Sequence, residues 1–211
     1  MYSVVEAGTM SELSSQQFGS FAEWSDEDLL LEYRLTSRRE LFEELVHRYE
    51  HPLFAYLCRR TGNAEDAEEI FHSAFLKVHV RCEQFEAGRK FRPWLYRIAT
   101  NIAIDRIRVS QRRLKYNLES DYDNGEEEGG SLSQLASDCE PLPFDNANTK
   151  EQVERLHLAI ANLPESLRDV LNLVHFQGLS YRDAAEVLEI PFGTIKTRLS
   201  SAYSKLHSAL K

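Results

Sequence analysis

The chain has 211 residues, 42% of them hydrophobic and 28% charged, with a formal net charge of −9. That balance suits a soluble globular protein with one medium core or two small ones, and it excludes fibrous and wholly disordered classes. The negative charge argues against a protein that coats nucleic acid, and no stretch approaches the ~20 uncharged apolar residues of a membrane helix.

The N-terminus (MYSVVEAGTMSELSSQQ) has neither the basic start nor the apolar centre of a secretory signal, which predicts a cytoplasmic protein without membrane insertion. Residues 1–24 are expected to be an N-terminal extension, within which Met10 offers a second start. Ser25 with Asp28 three residues on is a capping signal, so a helix is predicted from Asp26, with Trp24 stapled onto Leu29. The next helical pattern carries Leu41, Phe42, Leu45, Val46 and Tyr49 on one side and runs into Leu53, Tyr56 and Leu57, with Pro52 as a kink or break.

Asn63 is a predicted N-cap, with Glu65 and Asp66 favourable to the dipole of the following helix. At 100° per residue, Ala67, Ile70, Phe71, Ala74, Phe75 and Val78 share one arc, and Glu65, Glu69, His72, Leu76 and Val80 share the other. The aliphatics on that second, acidic face are either scattered surface residues or a docking surface for another protein. His79 and Cys82 could share a face, but Cys58, Cys82 and Cys139 form no C-x-x-C pair and are read as free thiols. No metal site is indicated.

Pro93 suits the first turn of a further helix. There Leu95, Ile98, Ile102 and Val109 form one apolar arc and Tyr96, Ala103 and Ile107 another, with Arg97, Thr100, Asn101, Ile104, Arg108 and Gln111 between them. From Arg81 to Lys115 ten basic residues face only three acidic ones, so the negative total hides a local cationic patch. Arg, Asn, Thr and Gln on one stripe are what phosphates and base edges require. Trp94 is placed to stack on an unpaired base or to pack in the core; its position beside Leu95 and Ile98 favours the core.

Residues 116–150 are rich in Gly, Ser, Asp, Asn and Pro and are expected to be a flexible acidic linker. The Asp121-x-Asp123-x-Gly125 fragment within it lacks the ligand positions of a calcium loop. On such a tether the two halves can collapse, letting the acids from Glu119 to Glu128 screen the basic stripe. Glu151–Leu163 is an amphipathic pattern and Pro164 opens the next helix. In GLSYRDAAEVLEIPFGTIKTRLSSAYSKL, Gly178 stops one helix, Ser180 caps another and Pro191 starts a third after a short turn. That is helix-turn-helix spacing. Phe192, Ile195, Leu199, Ala202, Leu206 and Leu210 are predicted to point inward, leaving short polar groups flanked by cations outside.

Taken together, DAEEIFHSAFLKVH, FRPWLYRIATNIAIDRIR and LPESLRDVLNLVHFQGLSYRDAAEVLEIPFGTIKTRLSSAYSKL resemble the extracytoplasmic-function (ECF) group of sigma-70 family RNA polymerase sigma factors, from Ser25 to Leu210. The resemblance implies an all-α protein of two small helical domains: region two over 25–115 and a region-four helix-turn-helix over 151–211. It implies core RNA polymerase and promoter DNA as partners, with an anti-sigma factor as a further one, and no catalytic residue, metal or cofactor. By that resemblance Glu65, Glu69, His72 and Leu76 bind polymerase; Phe85, Arg89, Lys90, Arg97, Thr100, Asn101 and Arg108 meet the melted minus-ten element; Thr194, Lys196, Thr197, Arg198, Ser200 and Ser201 read the minus-35 duplex. The chain departs from the family in carrying Glu69, His72 and Ser73 where Asp, Gln and Glu are common, and in its basic EAGRK loop. The alternative is a helix-turn-helix regulator with an N-terminal sensing or dimerisation domain, which has no need of the basic stripe ahead of the linker. A metal nuclease is disfavoured because no carboxylate and histidine cluster has ligand spacing.

Overall fold

A computed structural model describes residue 21, residues 23–120, with side chains as far as 112, and residues 155–210. The Asp121–Gly125 fragment, the acids beyond Glu119 and Cys139 lie outside the described residues. Within them the chain is helical and has no strand, in keeping with the all-α class.

Helix α1 (Asp26–Thr36) starts where Ser25 Oγ accepts the Asp28 N–H at 3.1 Å, and its first turn holds Asp26, Glu27 and Asp28. Trp24 packs edge-on against Phe21 and stays exposed. Helix α2 (Arg39–Thr61) runs unbroken through Pro52. The predicted break does not occur, because Leu45, Tyr49, Leu53, Tyr56 and Leu57 all lie buried on one continuous face, and packing outweighs the single hydrogen bond a proline removes. Gly62 ends the helix at φ 71°, a left-handed conformation that glycine adopts without a Cβ penalty.

Helix α3 (Ala64–Arg81) is capped by Asn63, whose Oδ1 accepts from the Glu65 and Asp66 N–H groups at 2.8 and 3.3 Å. It buries Ala67, Ile70, Phe71, Ala74, Phe75 and Val78, the whole of its predicted apolar arc. A 3-10 turn (Cys82–Gln84) and a short loop lead to α4 (Phe91–Ser120). Its backbone stays helical past Tyr116, where the linker was expected to begin; no Gly or Pro stands between Tyr116 and Ser120 to stop it.

The second unit comprises α5 (155–161), α6 (Glu165–Leu171) continued by a π turn (Asn172–Phe176), α7 (Tyr181–Leu188) and α8 (Phe192–Ala209). Ser180 Oγ accepts the Asp183 N–H at 3.1 Å, and α7 and α8 close over Leu167, Val170, Leu171, Ala184, Val187, Ile195, Leu199, Ala202 and Leu206. Phe192 and Leu210, predicted to point inward, are 43% and 41% exposed, because they occupy the two ends of α8 where no neighbouring helix covers them.

Candidate nucleic-acid and polymerase interfaces

The face of α3 opposite the core carries Glu65, Glu69, His72, Leu76 and Val80 at spacings of four, three, four and four, one continuous stripe on a helix. All five are exposed, Leu76 at 63% and Val80 at 69%. Glu69 is tied to α4 by Arg106, whose Nη2 lies 2.5 Å from it and whose Nε lies 3.0 Å from Asp66. Aliphatics rimmed by acids and left uncovered are the composition of a protein-docking surface.

Two of the residues expected to touch DNA face inward instead. Phe85 is 2% exposed and packs on Trp94 and Phe91, with ring centroids 5.1 and 6.3 Å apart. Thr100 is fully buried, its Oγ1 2.7 Å from the Tyr56 hydroxyl. The phase of α4 explains Thr100, since Leu95, Tyr96, Ile98, Ala99 and Ala103 are buried with it and the polar stripe is narrower than two separated apolar arcs suggested, whereas Phe85 lies in the loop before α4 and turns its ring onto Phe91 and Trp94. Trp94 is a core residue, as its neighbours predicted, but one edge reaches a cleft.

That cleft, about 220 Å³, is lined by Lys77, Arg81, Trp94, Arg97, Ile98 and Asn101. It gathers two expected residues, Arg97 and Asn101, and adds Lys77 and Arg81 from α3. Lys77 was missed because its own helix reads as acidic; its signal is a position one turn before Arg81. Asn101 and Arg108 are exposed on α4.

The loop and α4 cations meet the second unit. Arg89 pairs with Glu186, Lys90 Nζ lies 3.2 Å from Asp183, and Arg97 lies 2.8 Å from Glu189. Deeper in the same contact, the Tyr96 hydroxyl donates to Gln177 Oε1 at 2.6 Å and Arg92 donates to the Gln177 carbonyl at 2.7 Å. Arg59 donates to Asn172 Oδ1 at 2.8 Å and lies over the Phe176 ring. Arg60, nearly devoid of solvent contact, pairs with Asp169 and reaches Glu165 at 3.6 Å. Burial pushes the Asp169 carboxyl above the usual range, and Arg60 opposes that shift. Burial also raises the Tyr96 phenol to about 12, so the hydroxyl keeps its donating proton at neutral pH.

On α8, Lys196, Thr197, Ser200 and Ser201 are exposed and Thr194 and Arg198 half-buried. Thr197 Oγ1 donates back to the Thr194 carbonyl at 3.0 Å, and Lys196 Nζ rests 4.9 Å from the centre of the Phe192 ring. A Cβ built on Gly193 would meet nothing within 4 Å, so this face of the helix is open. Its small side chains allow close approach of a major-groove wall, with cations at the margins for phosphates.

Residues 45–113 match the family described as Sigma-70 region 2, and residues 153–206 that described as Sigma-70, region 4. The ECF RNA polymerase sigma factor SigW of Bacillus subtilis is 34% identical over 173 residues, covering 82% of this chain and 90% of that protein. The ECF RNA polymerase sigma-E factor of Escherichia coli K12 is 30% identical over 178 residues, covering 83% and 90%. Among solved structures, CnrH in complex with the cytosolic domain of CnrY superposes with a TM-score of 0.60 at 21% identity, over 88% of this chain and 96% of that one. RpoE from Bartonella quintana, in complex with the anti-sigma factor NepR, does so at 0.63 and 22%, over 82% and 98%. The structural matches speak to the fold, whereas the two regional matches in order and the near full-length relatives identify the family: the chain belongs to the ECF group of sigma-70 RNA polymerase sigma factors.

Proposed function

We propose that this protein binds core RNA polymerase through the exposed stripe of α3 and directs promoter-specific initiation by reading melted minus-ten DNA with the first unit and minus-35 duplex with α8. The observation that carries this is the pairing, in one chain, of a cation-rimmed cleft on α4 with an open helix-turn-helix face. Under this reading the chain divides into region two (25–115), linker (116–150) and region four (151–211), with the helix of region two running on to Ser120. Arg89, Lys90, Arg97 and Arg108 hold the phosphates, Asn101 offers amide groups to a base edge, and Lys77 and Arg81 complete the rim. Trp94 forms the cleft floor against which an extruded base can lie. The protein supplies affinity and selection to the polymerase and performs no chemistry, and it works in the cytoplasm beside that enzyme. A protein of anti-sigma type is a further partner, by analogy with the complex of RpoE and the anti-sigma factor NepR.

Size-exclusion chromatography with purified core polymerase tests the reading against a free-standing helix-turn-helix regulator. Stoichiometric co-elution is the expected result. Separate elution, with tight promoter-duplex binding by the protein alone, would favour the regulator.

A further inference from the structure

The exposed side of α1 carries Leu31 and Leu35, one helical turn apart, with Asp28 a turn ahead of them. Trp24, just before the N-cap, closes the upper end, and Glu23 and Glu32 stand beside them, so these six residues line an open groove of about 420 Å³. Leu35 is 76% exposed and Trp24 40%, although tryptophan is highly buried on average. The indole is held from behind. Arg48 donates to the Trp24 carbonyl at 2.8 Å and to the Phe21 carbonyl at 2.7 Å, and the buried Phe21 ring packs edge-on to the indole. Arg48 also neutralises Asp26 and Glu44, and Glu27 accepts the Phe91 N–H. Glu23, Asp28 and Glu32, the acids of the groove, have no Lys or Arg within ion-pair distance among the described residues.

We propose that this groove docks a cationic amphipathic helix of an accessory protein, whose apolar residues lie between Trp24 and Leu35 while its Lys or Arg side chains meet Glu23, Asp28 and Glu32. An apolar floor along one helix with an unneutralised acidic rim suits the mode in which an amphipathic helix lies in a groove. The chain's own segments do not complement it: residues 1–20 and 121–149 contain no Lys or Arg, so they would set acid against acid. A second copy would have to commit the exposed cations of α4 or α8, which the proposed function assigns to DNA. With only three apolar side chains in it, the contact is small and belongs to the weak, transient class. The groove shares no residue with the α3 stripe, the α4 cleft or the α8 face. Its partner therefore joins the protein without displacing polymerase or promoter, unlike a protein that competes for those surfaces.

The test uses the full chain and a terminally blocked synthetic peptide of about two heptads, with Leu at its a and d positions and Lys at e and g, titrated by calorimetry. The same peptide with Glu at e and g is the charge-reversed comparison. The Lys peptide should bind with micromolar affinity and shift the tryptophan emission, since Trp24 is the more exposed of the chain's two tryptophans. The Glu peptide should bind at least about tenfold more weakly. Leu35→Asp should weaken the Lys peptide at least about fivefold. Neutralising the rim (Glu23→Gln with Asp28→Asn and Glu32→Gln) should weaken it and flatten its salt dependence. A charge-matched control, Glu50→Gln with Glu68→Gln and Asp105→Asn, should leave both nearly unchanged, and the complex with core polymerase should bind the peptide as tightly as the free protein. No binding of the Lys peptide, equal affinity for the two peptides, wild-type affinity in Leu35→Asp with unchanged circular dichroism, or equal losses in the rim and control variants would each overturn the site. Displacement of the peptide by core polymerase would overturn simultaneous occupancy. A chain that fails to bind core polymerase strikes the proposed function, and the groove is then judged on the free protein alone.

Discussion

Replacing Leu76 with Asp should weaken binding to core polymerase while leaving the fold intact. Leu76 is 63% exposed, so folding buries only about a third of it, and a surface substitution of this kind costs within about 0.5 kcal/mol of stability. Fully burying a leucine contributes about 1.5–3 kcal/mol, so covering the exposed share at an interface is worth about 1–2 kcal/mol, or roughly 5- to 30-fold in affinity. A carboxylate forced under the same partner adds a desolvation penalty, so that range is a lower bound for Asp and an estimate for Ala. The assay is a fluorescence titration of labelled protein with core enzyme, beside a thermal melt. Leu35→Asp is the matched control, since Leu35 is 76% exposed at the end of α1, off the α3 stripe. Wild-type affinity in Leu76→Asp, or an equal loss in Leu35→Asp, would refute the assignment of the α3 face.

Other consequences divide among DNA, stability and pH. Asn101→Ala should relax selection at one minus-ten position by about 1–3 kcal/mol, read from transcription on single-base promoter variants, whereas Arg108→Ala should depress all of them alike; identical profiles would remove the distinction between base reading and phosphate holding. Ser180→Ala deletes the α7 cap and should cost about 1 kcal/mol, visible as a lower midpoint in urea, with an unchanged midpoint showing the cap to be dispensable. The Tyr96 phenol, raised to about 12 from 10.0, binds its proton more tightly in the folded protein than in the unfolded chain. Its contribution to stability is therefore fully present below pH 10 and is lost as pH rises through 12. Urea midpoints for wild type minus Tyr96→Phe should converge over that window, and a constant difference would show that ionisation of this hydroxyl is not linked to folding.

Most of the helical architecture was legible because the local signals agreed. Ser25, Asn63 and Ser180 each announced a cap that forms, and the apolar arc of α3 is buried residue for residue. Pro52 misled because a local rule was outweighed by the packing of α2 along its length. On α4 the helical period was right, but the width of the buried sector depends on how many helices surround it, which periodicity does not encode. Thr100 therefore passed for a surface group, although it is satisfied inside by Tyr56, whereas Phe85 was placed at the DNA by the family resemblance and lies in a loop whose path into the core no periodicity records. The contact between the two units was the least legible part. Arg59, Arg60 and Gln177 carry no pattern that distinguishes them from ordinary helix-surface residues, and their partners stand more than 80 positions away in the chain. The charges were visible, but which acids meet the cations is settled only by the way α7 lies on α4.

In vitro transcription with purified core polymerase, this protein and a randomised promoter library, read by sequencing the transcripts, tests the central claim most directly. Transcripts should depend on the protein, start downstream of two short motifs at fixed spacing, and lose the upstream motif's information when Thr197, Ser200 and Ser201 are changed to Ala. Transcription no greater than that of core polymerase alone, or transcripts with no common upstream sequence, would contradict it.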